Sequence, residues 1–308
     1  MDESKQIILG AGGGIGNLLA KELYHYGADV HLFSRNPKKV NKTDILIQGS
    51  LLDKVQTSDA LATMDIAYLI AGLPYNTLAW EKEWPLIMQN VIDGCKKHHV
   101  ELVFLDNTYM YDPAALHQLT EDSPVKPVSR KGKVRGAIAE MLLHEIELGN
   151  IDALIARSAD FYGPATNQSM VNEMLSKKLL LGKKANWFMD VNKNHAITYT
   201  EDVAKALALL GNYPKAYSQV WHLPTDRSHT DKELIEIASC IYHQPAAFKL
   251  LKRGAANFLG LFIPAIKESK ELFYQFQLDY VFDSSKFENA FGMKATSVQQ
   301  GFKNFLLK

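Results

Sequence analysis

Cysteine is scarce. Cys95 and Cys240 are the only two in 308 residues, too few for a disulfide framework and in keeping with a reducing compartment. Each opens a Cys-x-x-His pair, with His98 and His243, but the pairs fall on separate expected helices, so no metal site is assigned. No block of one charge runs through the chain, and Lys plus Arg and Asp plus Glu number 34 each. That excludes a surface built to track a phosphate backbone, and nucleic acid is not an expected partner. Long apolar runs are missing too: the charge-free stretches 66–80 and 254–266 fall short of the roughly 18 to 20 apolar residues of a spanning helix. No membrane span is expected. The start, Met1-Asp-Glu-Ser-Lys-Gln6, lacks the basic and apolar regions of a secretory signal, and the expected location is the cytoplasm.

What is present is an ordinary globular composition, 47% hydrophobic and 22% charged, with enough length for one large core or two smaller ones. Short apolar runs alternate with helical patterns through the first half. Strands are expected at Gln6–Leu9, Asp29–Phe33, Ile45–Gln48, Ile66–Ala71, Glu101–Leu105 and Ala153–Ala156. Between them, Ile15, Leu18, Leu19, Leu23 and Tyr26 share one helical face, as do Trp80, Trp84, Ile87, Met88, Val91, Ile92 and Cys95, and then Val134, Ile138, Met141, Leu142 and Ile146. Repeated β-α-β units of this kind build a parallel sheet with helices on both faces. After about Phe161 the alternation stops, apart from a returning strand at Gln219–Leu223.

Gly10-Ala-Gly-Gly-Gly-Ile-Gly16 follows the first strand and opens the first helix. G-x-G-x-x-G fails at Ile15, but G-x-x-G-x-x-G fits at Gly10, Gly13 and Gly16. Together with Gly12, Gly14 and Ile15, these residues bring bare backbone N–H groups up to a diphosphate at a helix N-terminus. The expected fold class is therefore α/β, a Rossmann-type doubly wound parallel sheet with a smaller, mostly helical C-terminal substrate lobe. The domains are placed at 1–160, with the sheet completed by about 190–225, and 161–308. A carboxylate at the end of the second strand would bind the ribose 2'-hydroxyl of NAD(H). Leu32-Phe-Ser-Arg-Asn-Pro37 has none, whereas Ser34 and Arg35 suit a 2'-phosphate. NADP(H) is favoured; NAD(H) is the alternative if Arg35 only stacks on adenine or stays solvated.

The chain resembles the extended and atypical short-chain dehydrogenase/reductases, in particular the NAD-dependent epimerase/dehydratase group. The resemblance runs through the glycine loop, Asn90, Asp106-Asn-Thr-Tyr-Met-Tyr111, Arg157-Ser-Ala-Asp-Phe-Tyr-Gly-Pro164, Thr198-Tyr-Thr-Glu-Asp-Val-Ala204, Trp221-His-Leu-Pro224 and Phe282-Asp-Ser-Ser-Lys-Phe287. It implies a nicotinamide dinucleotide on the first domain, with Ala71, Gly72, Asn90 and Asp160 among its contacts, and a substrate bound by the later lobe. His195 lies in a segment that lines the substrate cleft of similar enzymes, as a substrate ligand or acid; a surface-loop histidine is the alternative.

The family's usual chemistry uses Tyr-x-x-x-Lys, the lysine lowering the tyrosine pKa so that it exchanges a proton as hydride moves. No tyrosine here has a lysine four residues on, and the usual Ser or Thr maps to Asn107. Substitutes stand nearby: Asn107 and Thr108 as carbonyl hydrogen-bond partners, Tyr109 or Tyr111 as proton donor, Lys131 or Lys133 as the cation. In the bland alternative Tyr111 packs under the sheet edge, the lysines form a solvated first turn and Asn107 caps a loop. Two functions follow. One is an NADP(H)-dependent oxidoreductase or epimerase/dehydratase-like enzyme acting on a small carbonyl or hydroxyl compound, a nucleotide sugar among the candidates. The other is a non-catalytic NADP(H)-binding sensor or scaffold. Amphipathic helices on the sheet leave a homodimer open. Gly254–Ile266, apolar and broken at Pro264, is expected to be buried against the later lobe, with a lid or a protein or membrane-surface contact as the alternative.

Overall fold

The computed structural model describes residues 4–166 and 169–307. The chain forms two compact units that interleave along the sequence. The first gathers the chain up to Asp106, Val134–Arg157 and Val203–Trp221; the second gathers Asn107–Lys133, Ser158–Asp202 and everything from His222. Residues 107–133, expected in the first domain, fall in the second unit, while 203–221 fall in the first, within the span of about 190–225 expected to complete its sheet.

The first unit is built on a seven-stranded sheet. In chain order its elements are β1 (Lys5–Leu9), α1 (Gly14–His25), β2 (Asp29–Ser34), β3 (Ile45–Gln48), α2 (Lys54–Leu61), β4 (Ile66–Leu69), α3 (Thr77–His98), β5 (Glu101–Asp106), α4 (Arg130–Glu147) and β6 (Ala153–Arg157). The pairings β1 with β2, β1 with β4, β2 with β3, β4 with β5 and β5 with β6 are all parallel. Parallel strands need both faces covered, and Ile7, Ile8 and Leu9 of β1 are fully buried as that requires. Asn76 starts α3, its Oδ1 accepting from Ala79 N at 2.9 Å, and His99 ends it in the left-handed conformation. The apolar residues expected on one face of α3, from Trp80 to Cys95, are all buried. Because β1 has β2 on one side and β4 on the other, the strand order reverses at the carboxyl end of β1. Open α/β sheets bind ligands at such a reversal.

The second unit carries β7 (Asp160–Tyr162), α5 (Lys177–Leu180), β8 (Ala185–Phe188), β9 (Asn194–His195) and β10 (Ile197–Tyr199). Next in the chain, α6 (Thr200–Gly211) and β11 (Val220–His222) intervene, β11 closing the seven-stranded sheet beside β6. The unit continues with β12 (His229–Thr230), α7 (Asp231–Ile241), β13 (Phe248–Leu251), α8 (Arg253–Leu259) and α9 (Pro264–Ser269). Its strands pair two by two, β7 with β10, β9 with β12 and β8 with β13. Trp187, Tyr162, Leu175, Phe276 and Phe302 form part of its core. The apolar stretch near Pro264 does break there, between α8 and α9. The burial expected of it is corrected, because Phe258, Leu261, Phe262 and Ile263 are 63%, 75%, 71% and 41% exposed. Short connected helices cannot present every side to the unit: Ala256 and Gly260 are buried, and Leu259 and Ile266 are half-buried.

Candidate functional site

The first unit brings the glycine loop and the end of β2 together. Gly10 N and Ala11 N both donate to Phe33 O, at 3.0 and 3.1 Å, which straps the loop to β2. Gly10 has φ +91°, and a Cβ there would lie 2.4 Å from Ala71 Cα, so only glycine lets the loop cross the chain leaving β4. Gly12 has φ +109°, and nothing lies within 4 Å of a Cβ built at Gly12 or Gly13. The loop runs straight into α1, whose first helical bond runs from Asn17 N to Gly13 O. The N–H groups of Gly14, Ile15 and Gly16 therefore have no carbonyl within the helix to reach, and the helix dipole adds partial positive charge. No acidic residue lies in the first turn of α1 to compete for these groups.

At the end of β2 the Ser34 hydroxyl is buried without a hydrogen-bond partner. Arg35 is exposed, and its carbonyl accepts from Gln48 Nε2 at 3.1 Å. The next carboxylate, Asp44, is buried and accepts from Val40 N, Asn41 N and Asn41 Nδ2 at 2.7–2.9 Å, which folds the loop after β2. It is not offered to a ribose. These residues fit a dinucleotide: a glycine-rich cradle, bare helix-terminal donors, and a hydroxyl and a guanidinium at the second strand's end. Gly72 is exposed beyond Ala71. Asn90 is placed differently from the expected cofactor contact: it is 2% exposed and its Nδ2 donates to Leu51 O at 2.9 Å, holding the loop before α2.

The expected catalytic residues, with Asp160 and His195, fall in the second unit. Asn107 Oδ1 accepts from Tyr109 N at 3.0 Å, an Asx-turn that fixes the main chain leading to Tyr109. Gly132 lies under the same segment, where a Cβ would sit 2.3 Å from Tyr109 O. Thr108 Oγ1 shares a 2.7 Å hydrogen bond with the buried Tyr280 hydroxyl. Tyr111 is 1% exposed and bonds His222 Nε2 at 2.7 Å. Tyr109 is only half-buried, and so is the more accessible of the two candidate tyrosines.

Lys131 is neither solvated nor open to a substrate. Its side chain is completely buried, and Nζ lies 2.7 Å from Glu268 Oε2, 2.9 Å from Glu271 Oε1 and 3.0 Å from Glu268 O. Three acceptors take up the three N–H bonds of the ammonium. His195 is not a surface-loop residue either: it is 1% exposed, stacked on Phe276 at 4.6 Å and edge-on to Trp187 and Tyr280. Its Nε2 lies 3.1 Å from Asp160 Oδ2, and its Nδ1 lies 3.9 Å from Asp231 Oδ1. Burial works against a proton on the ring, but Asp231 and Asp160 outweigh it and raise the His195 pKa. Burial likewise pushes the Asp231 carboxyl up to about 7, against the pull of His195.

The pairings within these clusters are not marked by local sequence. Tyr280 lies 172 positions from Thr108, His222 lies 111 from Tyr111 and Asp231 lies 36 from His195, so only folding reveals these pairings. The same holds in the first unit for Asp106, which accepts from Arg135 Nε at 2.7 Å and lies 3.5 Å from Arg157 Nε, all three buried. The Arg135 guanidinium also lies over the rings of Trp84 and Phe104, at 4.5 and 4.9 Å. Asp106 and Arg157 open segments that carry the resemblance, but nothing local in the sequence pairs them with each other or with Arg135.

Residues 6–221 match the family described as the NAD dependent epimerase/dehydratase family. No curated protein matches the chain. Among solved structures, UDP-glucose 4-epimerase from Thermus thermophilus, in complex with NAD, is 17% identical with TM-score 0.78, covering 98% of this chain and 97% of that one. UDP-N-acetylglucosamine 4-epimerase from Methanobrevibacter ruminantium M1 is 17% identical with TM-score 0.79, covering 100% and 99%. A double mutant of the dTDP-glucose 4,6-dehydratase DesIV from Streptomyces venezuelae, with NAD bound, is 16% identical with TM-score 0.78, covering 98% and 95%. At such identities the likeness is one of fold.

Proposed function

Because the chain belongs to the NAD dependent epimerase/dehydratase family, we propose that it is an NADP(H)-dependent enzyme acting on a small carbonyl or hydroxyl compound, with nucleotide sugars as the substrate class. The observation that carries the cofactor assignment is the pairing of the open glycine loop with the orphaned Ser34 hydroxyl and exposed Arg35. In this reading the loop from Gly10 to Gly16 holds the diphosphate, and Ser34 and Arg35 hold the 2'-phosphate. Relatives of the same fold are described with NAD, so the preference for NADP(H) rests on this chain's own second strand. The substrate class is supported by the UDP- and dTDP-sugars named for those relatives.

A bound nicotinamide supplies a hydride donor or acceptor. This chain's contribution is binding, orientation and a proton: Tyr109 provides the hydroxyl, and Asn107 and Gly132 fix its main chain. Thr108 and Tyr111 support that segment from beneath through Tyr280 and His222. Lys131, bound to two glutamates, is assigned a structural role rather than that of the cation.

That closure of Lys131 and Tyr111 favours one second reading, a module that binds NADP(H) and reports its redox state without turnover. The experiment that separates the two is incubation of the protein with NADP+ or NADPH and a panel of UDP- and dTDP-sugars, resolved by chromatography. Conversion that disappears in Tyr109→Phe supports the enzyme. Cofactor binding with no conversion of any sugar supports the sensor.

A further inference from the structure

The segment joining α8 to α9 presents apolar side chains to solvent in a cluster. Phe258, Leu261, Phe262 and Ile263 are 63%, 75%, 71% and 41% exposed, and the rings of Phe258 and Phe262 pack against each other at 5.5 Å. Isolated exposed apolar residues are ordinary, but four large ones within six positions form a patch that water disfavours. Among the described residues no helix is long and apolar enough to cross a membrane, and α8 and α9 have 7 and 6 residues.

The charge around the patch is one-sided although the whole chain is neutral. From Lys249 to Lys267 the sequence holds four cations, Lys249, Lys252, Arg253 and Lys267, and no acid. The first three are exposed, as is Lys267. The acids that follow, Glu268 and Glu271, are drawn onto buried Lys131. Lys270 passes over the turn, its Cδ 3.0 Å from the Cβ position of Gly260. Lys252 and Arg253 also line a shallow cavity of about 350 Å³ with Met189, Gln277 and a single acid, Asp190.

We propose that this turn is a membrane-surface contact that lies on an anionic phospholipid bilayer. Phe258, Leu261, Phe262 and Ile263 enter the boundary between headgroups and acyl chains, while the flanking cations face the lipid phosphates. Apolar side chains beside cations are the combination that an interfacial segment needs, and charge complementarity selects a negative surface over an uncharged one. The contact is independent of the reaction assigned to the chain.

The test is co-sedimentation of the full-length protein with vesicles of phosphatidylcholine alone and of phosphatidylcholine mixed with phosphatidylglycerol. The protein is expected to sediment with the mixed vesicles, to stay in solution with phosphatidylcholine alone, and to be released as salt rises. Lys252→Gln with Arg253→Gln is expected to lower partitioning roughly 30-fold, and Leu261→Ser with Phe262→Ser to abolish it. All four positions are exposed, and circular dichroism checks that the variants remain folded. Absence of sedimentation with the mixed vesicles, or sedimentation indifferent to these substitutions, overturns the proposal. So does a concentration-dependent dimer that Phe262→Ser dissolves, which assigns the patch to a second copy of the chain.

Discussion

Tyr111 directs its hydroxyl at His222 Nε2, 2.7 Å away, while His222 Nδ1 lies 2.8 Å from the carbonyl oxygen of Asp283. A carbonyl only accepts, so Nδ1 carries the ring proton and Nε2 is left to receive the tyrosine's. Phe282 stacks on the same imidazole at 4.0 Å. Tyr111 is thereby a structural donor.

Tyr111→Phe is expected to destabilise the protein by about 1–3 kcal/mol, because a buried acceptor loses its partner. Tyr109→Phe is expected to leave stability nearly unchanged and to remove turnover. Urea denaturation together with the sugar-conversion assay checks the pair; the reverse pattern assigns the chemistry to Tyr111.

Lys131→Met removes the ammonium that Glu268 and Glu271 share and puts an apolar side chain in its place. Its expected cost is about 3 kcal/mol, as for breaking other buried ion pairs. Adding Glu268→Gln and Glu271→Gln to the same variant is expected to restore part of the loss. Recovery is read from urea midpoints, and a catalytic role for Lys131 predicts lost turnover with stability intact.

Gly10 and Gly12 separate folding from binding. Gly10→Ala places a methyl group 2.4 Å from Ala71 Cα and is expected to unfold the loop or lower stability by several kcal/mol, on the order of an overpacked core. Gly12→Ala meets no atom within 4 Å, so its cost is the left-handed backbone alone, roughly 1–2 kcal/mol. It is expected to weaken dinucleotide binding more than it lowers the thermal midpoint, as calorimetry on each variant would show.

The buried His195 cluster gives stability a pH dependence with a defined sign. A histidine whose folded pKa is raised contributes stability that is complete below its ordinary value of 6.5 and is lost as pH rises through the folded pKa. Asp231 acts in the same direction: folded, it keeps its proton from its ordinary 3.8 up to about 7, where the unfolded chain has released it. Stability from this cluster therefore falls as pH rises toward and past neutrality. The stability advantage of the wild type over His195→Gln is expected to be largest on the acid side and to shrink as the medium becomes alkaline, in urea midpoints across a pH series.

The sheet was legible in the sequence because its strands are apolar on both faces. The ends of Asp29–Phe33 and Ala153–Ala156 moved by one residue, to Ser34 and Arg157. The run Ile66–Ala71 stops earlier, at Leu69, because the chain turns off to pass under Gly10. The glycine loop was legible for a related reason: its spacing and its place between strand and helix are local. The paired strands β7 to β10, β12 and β13, of two to four residues each, are too short for a period of two to register. The roles of Lys131, Tyr111 and His195 were hidden because their partners, Glu268, His222 and Asp231, lie 36 to 137 positions away. A residue type announces its chemistry, but burial decides whether that chemistry is available.

The central claim, a dinucleotide held by the glycine loop with its 2'-phosphate on Arg35, is tested most directly by calorimetric titration of NADPH and NADH into the wild type and Arg35→Ala. The wild type is expected to bind NADPH more tightly than NADH. Arg35→Ala is expected to lose about tenfold to a hundredfold in NADPH affinity, the range for a charge-assisted hydrogen bond, while NADH binding hardly changes. Equal binding of the two nucleotides by the wild type, or an Arg35→Ala variant that keeps its NADPH affinity, would contradict it.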